Sequence, residues 1–134
     1  MAAGWGAQQL VPLVLPSSQG AAGIALASTL AGMMLLVGAV RALRSAGTEI
    51  NPWKPSRALV TNSVFAVSRN PIYLALLCVQ AGFAWWFSIG WWLVLVPVSW
   101  FGLDRFQIRR EERYLSATFG KAYSDYQRRV GRWL

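Results

Sequence analysis

The 134-residue chain is 55% hydrophobic, carries 13 Lys and Arg against 5 Asp and Glu, and contains eight Trp and no His. Its length allows one domain, and so apolar and basic a composition excludes an ordinary small soluble protein in favour of one that sits in a membrane. With no imidazole and a single cysteine, Cys78, inside an apolar run, neither a disulfide framework nor a metal site is expected.

Residues 1–19 hold a short apolar piece, Leu10 to Leu15, broken by Pro12 and closed by Pro16, Ser17 and Ser18. It is too short to cross a bilayer and is expected to lie at the interface, with Trp5 at headgroup level; a re-entrant start or an extra span is the alternative. The N-terminus carries no charge until Arg41, so the basic start of a secretory signal is missing and the first apolar run is expected to be retained. Residues 20–43 form that run and predict a spanning helix, in which the small pairs Ser28/Gly32 and Ala27/Ala31 would let a neighbouring helix approach closely.

Residues 44–71 break the pattern, being polar, basic and punctuated by Pro52, Pro55 and Pro71, which predicts an ordered non-helical path ending in a helix start at Pro71. Two further apolar runs, 72–87 and 89–103, read as a helical hairpin. Trp85, Trp86, Trp91 and Trp92 cluster at its turn, and Pro97 falls in its second arm. The tail, 104–134, reads as two amphipathic helices, the second setting Tyr123, Tyr126, Val130 and Trp133 opposite Arg128, Arg129 and Arg132 and expected to lie aromatic face down on the membrane.

Charge placement predicts orientation. Residues 41–69 carry five Arg or Lys against one Glu, net +4, and residues 104–134 carry eight against four acids, again +4, which together make the whole +8. The hairpin turn carries none, so the positive-inside rule puts the central loop and the tail on the cytoplasmic face. The expected fold class is therefore all-α: a multi-pass transmembrane helical protein, one domain over 1–134, with a cytoplasmic cap built from the central loop and the amphipathic tail.

Few residues in such a chain can carry chemistry. Glu111 and Glu112 are adjacent, so a helix points them about 100° apart and they cannot act as a facing carboxylate pair. One is expected to face inward; the alternative is an exposed acid pairing with Arg109 or Arg113. Arg69, Asn70 and Tyr73 sit at the mouth of the second apolar run, where helix capping and interface anchoring would account for each taken singly. The basic tail has its own simpler explanation in attraction to anionic lipid, and nucleic acid is not an expected partner.

Taken together these pieces are more specific. The stretch GTEINPWKPSRALVTNSVFAVSRNPIYL, a hydrophobic hairpin, and then REERYLSATFGKAYSDYQRRVGRWL resemble, over about residues 47–134, the isoprenylcysteine carboxyl methyltransferase family, similar in turn to the phospholipid methyltransferases. The carrying motifs are Leu59-Val60-Thr61, the Arg69-Asn70-Pro71-Ile72-Tyr73 box, and Glu111-Glu112 followed by Phe119-Gly120, Tyr123 and Tyr126. The resemblance implies an integral membrane enzyme that transfers a methyl group from S-adenosylmethionine to a lipophilic acceptor. By matching position it implies that Leu59, Val60, Phe65, Asn70, Pro71, Ile72, Tyr73 and Glu111 hold the cofactor, with Glu112, Tyr123 and Tyr126 nearby, and that Arg69, Tyr73 and Glu111 are the catalytic set.

The chain departs from the family in three places. Asn70 stands where His is common, Gln107 stands where prenylcysteine-specific members carry an arginine, and Asn62-Ser63 replaces a glycine after Thr61, so that one of these two must make the turn. Loss of the arginine argues against a prenylcysteine carboxylate as substrate. Two other functions compete: a nicotinamide-dependent membrane reductase, because steroid reductases look similar in their C-terminal segment, and a non-enzymatic anchor with a lipid-binding basic tail. Lack of disulfides, glycosylation acceptors and a signal peptide fits a bacterial inner membrane.

Overall fold

The computed structural model describes residues 2–48 and 55–134; Glu49, Pro52 and Lys54 of the central loop lie outside the described residues. Every regular element is helical, with no strand among the described residues. Helix α1 is Ala2–Leu10 and α2 is Gln19–Ser45, followed by a 3₁₀ turn at Ser63–Ala66, α3 at Pro71–Trp86 and α4 at Gly90–Gly102. A π-helical segment, Leu103–Ile108, joins α4 to α5 (Arg109–Phe119), and α6 (Lys121–Arg129) closes the order.

Helix α2 starts where Ser18, in extended conformation, accepts a hydrogen bond on Oγ from the Ala21 N–H. It ends at Gly47, whose φ of 63° lets the Gly47 and Thr48 N–H groups turn back to the Arg44 and Leu43 carbonyls. At 27 residues, about 40 Å, α2 is the one helix among the described residues long and apolar enough to cross a membrane by length and composition. Helices α3 and α4 are apolar but shorter, at 16 and 13 residues. Helix α4 runs through Pro97 and continues without a break in helical backbone into the π segment and α5.

The α2–α3 crossing is the main packing contact of the fold, and small residues set its distance. A Cβ on Gly32 would stand 2.7 Å from Val79 Cγ2 and 2.8 Å from the Ala75 carbonyl oxygen, while Ala25 and Ala75 are buried at the same interface. Of the two small pairs in the sequence, the one with Gly32 lies at the crossing; Ala27 and Ala31 face outward.

The N-terminal segment folds against the α3–α4 turn. Val14 pairs with Ile89 in an antiparallel bridge, the Gly90 N–H donates to the Leu13 carbonyl at 2.7 Å, and Trp91 Nε1 donates to the Val11 carbonyl. Gly90 is required there, since a Cβ would meet the Leu13 carbonyl oxygen at 2.7 Å. Helix α1 packs its Gly4 on Trp92 and Leu95 of α4. This end of the molecule lies opposite the one where the central loop meets α5 and α6.

Candidate active site

The central loop is shaped by side chains that satisfy its backbone. Thr48 Oγ1 accepts from the Arg57 N–H at 3.0 Å, Tyr114 Oη accepts from the Ser56 N–H at 2.9 Å, and Tyr126 Oη donates to the Phe65 carbonyl at 2.6 Å. The turn after Thr61 is made by Ser63, with φ of 54°, and not by Asn62, which stays extended. Pro71 takes the first turn of α3, as its fixed φ suits. Asn70 stands at the N-cap position but its side chain does not cap; Nδ2 donates instead to the Arg132 carbonyl at 2.9 Å, while the Ser68 hydroxyl accepts from the Asn70 N–H.

The tail packs inward. Tyr123, Tyr126 and Val130 are buried together against Leu59, Leu115 and Phe119. The aromatic face expected on the membrane surface is thus consumed by the loop and α5, because the buried tyrosines find both apolar neighbours and a carbonyl partner there. Beyond Val130 the chain returns to the loop, the Gly131 carbonyl accepting from the Arg69 N–H at 3.1 Å.

Between loop, α3, α5 and α6 lies a cavity of about 180 Å³. Leu59, Val60, Phe65, Arg69, Asn70, Pro71, Ile72, Tyr73, Glu111, Tyr123 and Tyr126 line it, so eleven of the twelve residues the resemblance names converge on one space. Glu112 does not. Leu43, Thr48, Ser56, Ala58 and Leu115 complete the wall. Leu115 was findable, being one helical turn from Glu111 on the same face; Leu43 and Thr48 are brought there by the close of α2, which no motif marks.

The polar end of the cavity carries both signs of charge. Tyr73 Oη donates to Glu111 Oε2 at 3.0 Å, and Gln107 lies beside the same hydroxyl. Burial pushes the Glu111 carboxyl above the ordinary glutamate value, against the Tyr73 hydrogen bond that favours its charged form; the neighbouring Glu112 charge adds to the rise. Burial, then the Glu112 carboxylate, likewise push the Tyr123 hydroxyl up, with Arg69 pulling the other way.

Arg69 also lines the cavity. Its Nη1 lies 2.7 Å from Glu112 Oε1, but off the hydrogen-bond direction, so Nε and Nη1 are both buried without a hydrogen-bond partner among the described residues. Glu112 is held in turn by Arg132 at 2.6 Å, and Arg132 also reaches Asp104 at 3.2 Å, where Trp133 Nε1 donates as well. Neither glutamate pairs with Arg109 or Arg113. Adjacent on one helix, they point to different tasks: Glu111 into the cavity, Glu112 into an ion network that fixes Arg69 and the returning tail. Asp104 stands outside the sequence motifs, and Arg132 and Trp133 are marked in the tail only as parts of an amphipathic pattern, so the network could not be read there.

An apolar wall with a carboxylate and a guanidinium at its polar end matches a ligand that is apolar or aromatic along one side and zwitterionic at one tip. The family model described as phospholipid methyltransferase matches residues 20–122. An uncharacterized protein of Haemophilus influenzae is 37% identical over 65 residues, which are 47% of this chain and the whole of that protein. No solved structure matches the chain.

Proposed function

From the premise that the chain belongs to the phospholipid methyltransferase family, a family of membrane methyltransferases, we propose that it transfers a methyl group from S-adenosylmethionine to a small lipophilic or amphiphilic acceptor. What supports the reading is the convergence of the Arg-Asn-Pro-Ile-Tyr box, the Leu-Val lead-in and Glu111 on one cavity with a charged tip. S-adenosylmethionine, when bound, supplies a methyl group on a sulfonium that already carries the activation, so the protein's work is to orient, hold charge and exclude water.

The residues present fit that cofactor. Leu59, Val60, Ile72 and Leu115 offer an apolar side for an adenine, with Phe65 and Tyr123 as aromatic neighbours. Glu111 suits an ammonium group, and the buried, unsatisfied Nε of Arg69 suits a carboxylate. Glu112 and Arg132 keep that guanidinium in place from behind. Asn70 and Pro71 set the start of α3, on which Ile72 and Tyr73 face the cavity. For an amine acceptor, which must lose a proton, the Tyr73–Glu111 pair is the place where that proton would be held.

In this reading α2, α3 and α4 are the spans, 20–43, 72–87 and 89–103, and the loop and tail form a cap on the cytoplasmic face of a bacterial inner membrane. Clustering of the basic residues at the cap end, and the uncharged α3–α4 turn with its Trp residues at the other, support it.

Calorimetric titration of the detergent-purified protein with S-adenosylhomocysteine tests the site. Saturable binding is expected, weakened at least about tenfold in Glu111→Gln, which loses a charged contact of the kind worth about 1.5–3 kcal/mol, and less in Tyr73→Phe. A folded protein that gives no heat with S-adenosylhomocysteine but binds a nicotinamide dinucleotide would replace this reading with the reductase one.

A further inference from the structure

Outside the cavity, one face of the α4–α5 rod changes character within a turn. Val94, Val98 and Phe101 stand 46%, 61% and 53% exposed, and the stripe continues at the same spacing as Arg105, Arg109 and Arg113. Steps of four, three, four, four and four residues keep these side chains on one side of the rod, the π segment at Leu103–Ile108 offsetting part of the drift that steps of four give in an α-helix. The junction is stacked, with the Arg105 guanidinium carbon 5.7 Å from the centre of the Phe101 ring.

The cationic half is a shallow, open groove. Arg132 reaches it from the returning tail and Gln127 from α6, so four guanidiniums line it against one carboxylate, Glu112. That carboxylate is already engaged by Arg69 and Arg132. Asp104, at the groove's edge, is engaged by Arg132 and lies 3.7 Å from Arg109. Arg105 and Arg113 have no ion pair among the described residues, leaving the groove with uncompensated positive charge at the level where the apolar stripe ends.

We propose that this row binds an anionic membrane glycerophospholipid, its phosphate in the groove of Arg105, Arg109 and Arg113 and its acyl chains along Val94, Val98 and Phe101. The lipid is distinct from the methyl acceptor: the groove lies on the Glu112 side of the ion network, the cavity on the Glu111 side. Arginine forks suit phosphate oxygens, and an apolar run that gives way to cations over one turn matches the step from acyl chain to headgroup. The inference rests on the reading that α4 lies in the membrane, and not on the identity of the methyl donor. Its effect would be to fix the depth of the cap, so that the cavity stays at the headgroup layer.

Native mass spectrometry of the full chain from mixed micelles of phosphatidylglycerol and phosphatidylcholine tests it, with S-adenosylhomocysteine titrated into the same samples. Wild type is expected to retain one phosphatidylglycerol in preference to phosphatidylcholine. Arg113→Gln should weaken that retention about fivefold, in line with roughly 1 kcal/mol per charge, and Arg105→Gln/Arg109→Gln/Arg113→Gln should abolish the preference. Lys121→Gln/Arg128→Gln/Arg129→Gln, which removes equal charge from α6, should keep it. Equal losses in the two triple variants, or no headgroup preference in wild type, would overturn the site in favour of general attraction between basic tail and lipid. Because the arginines lie outside the cavity, S-adenosylhomocysteine binding is expected to survive all these variants. Its absence from wild type with lipid retention intact would instead count against the methyltransferase reading alone.

Discussion

Glu111 is held between burial, which favours its neutral form, and the Tyr73 hydroxyl, which favours its charged one. Burial is the larger effect, so the folded protein binds a proton there that the unfolded chain has already released. Stability linked to this group is therefore greatest at low pH. It is lost as pH rises from the ordinary glutamate value of about 4.3 through the raised folded one. Glu111→Gln removes the titration while keeping an oxygen that can accept from Tyr73. The melting temperature of the variant, compared with wild type across that pH range, should gain on it as pH rises. A gap that is constant with pH would mean that the carboxyl does not titrate in this window. Such pairing of burial and hydrogen bonding is invisible in sequence, where spacing leaves Glu111 and Glu112 alike and only the family resemblance ranks them; the ring of partners around each shows the physical difference.

At the scale of elements, the α2–α3 pair carries the fold and glycine sets its spacing. Gly32→Val would press a branched side chain on Val79 and the Ala75 carbonyl, an overpacking that costs about 1–3 kcal/mol or more. Thermal unfolding in detergent should fall by several degrees, whereas Gly23→Ala, which points into open space, should leave the midpoint unchanged or slightly higher. A Gly32→Val protein as stable as wild type would show that this crossing is not close-packed. The three apolar helices were legible because their composition is unambiguous, and Pro71 marked the start of α3. Helix α1 was not legible, since residues 2–10 are too short and mixed to show a period. The inward turn of α6 was misread for a physical reason: Tyr123, Tyr126 and Val130 give the same pattern for a membrane face and for a loop-packed one. Most of the cavity wall, by contrast, could be listed from the resemblance to known methyltransferases, but its ion network could not, because Asp104, Glu112 and Arg132 meet only through the return of the tail.

For the molecule as a whole, the N-terminal segment and the α3–α4 turn define one end, and the loop with α5 and α6 the other. The proposed orientation makes a simple demand on accessibility. In a Cys78→Ser background, Ser17→Cys should react with a membrane-impermeant maleimide on intact cells, and Ser116→Cys only after the membrane is opened; the reverse pattern would invert the topology. Both ends are joined by the continuous rod of α4, the π segment and α5. A π turn accommodates one residue more than the α turn it replaces. Leu103–Ile108 is therefore a place where the rod can hold one extra residue without rotating either of its neighbours. One residue could be deleted there, the turn relaxing to plain α-helix, with Trp100 and Glu111 still facing as they do. The same deletion within α5 after Glu111 would swing Leu115 and the whole tail out of register. The half of the rod beside α3 and the half that walls the cavity can therefore diverge in length by single residues, and the π turn is the joint that lets them.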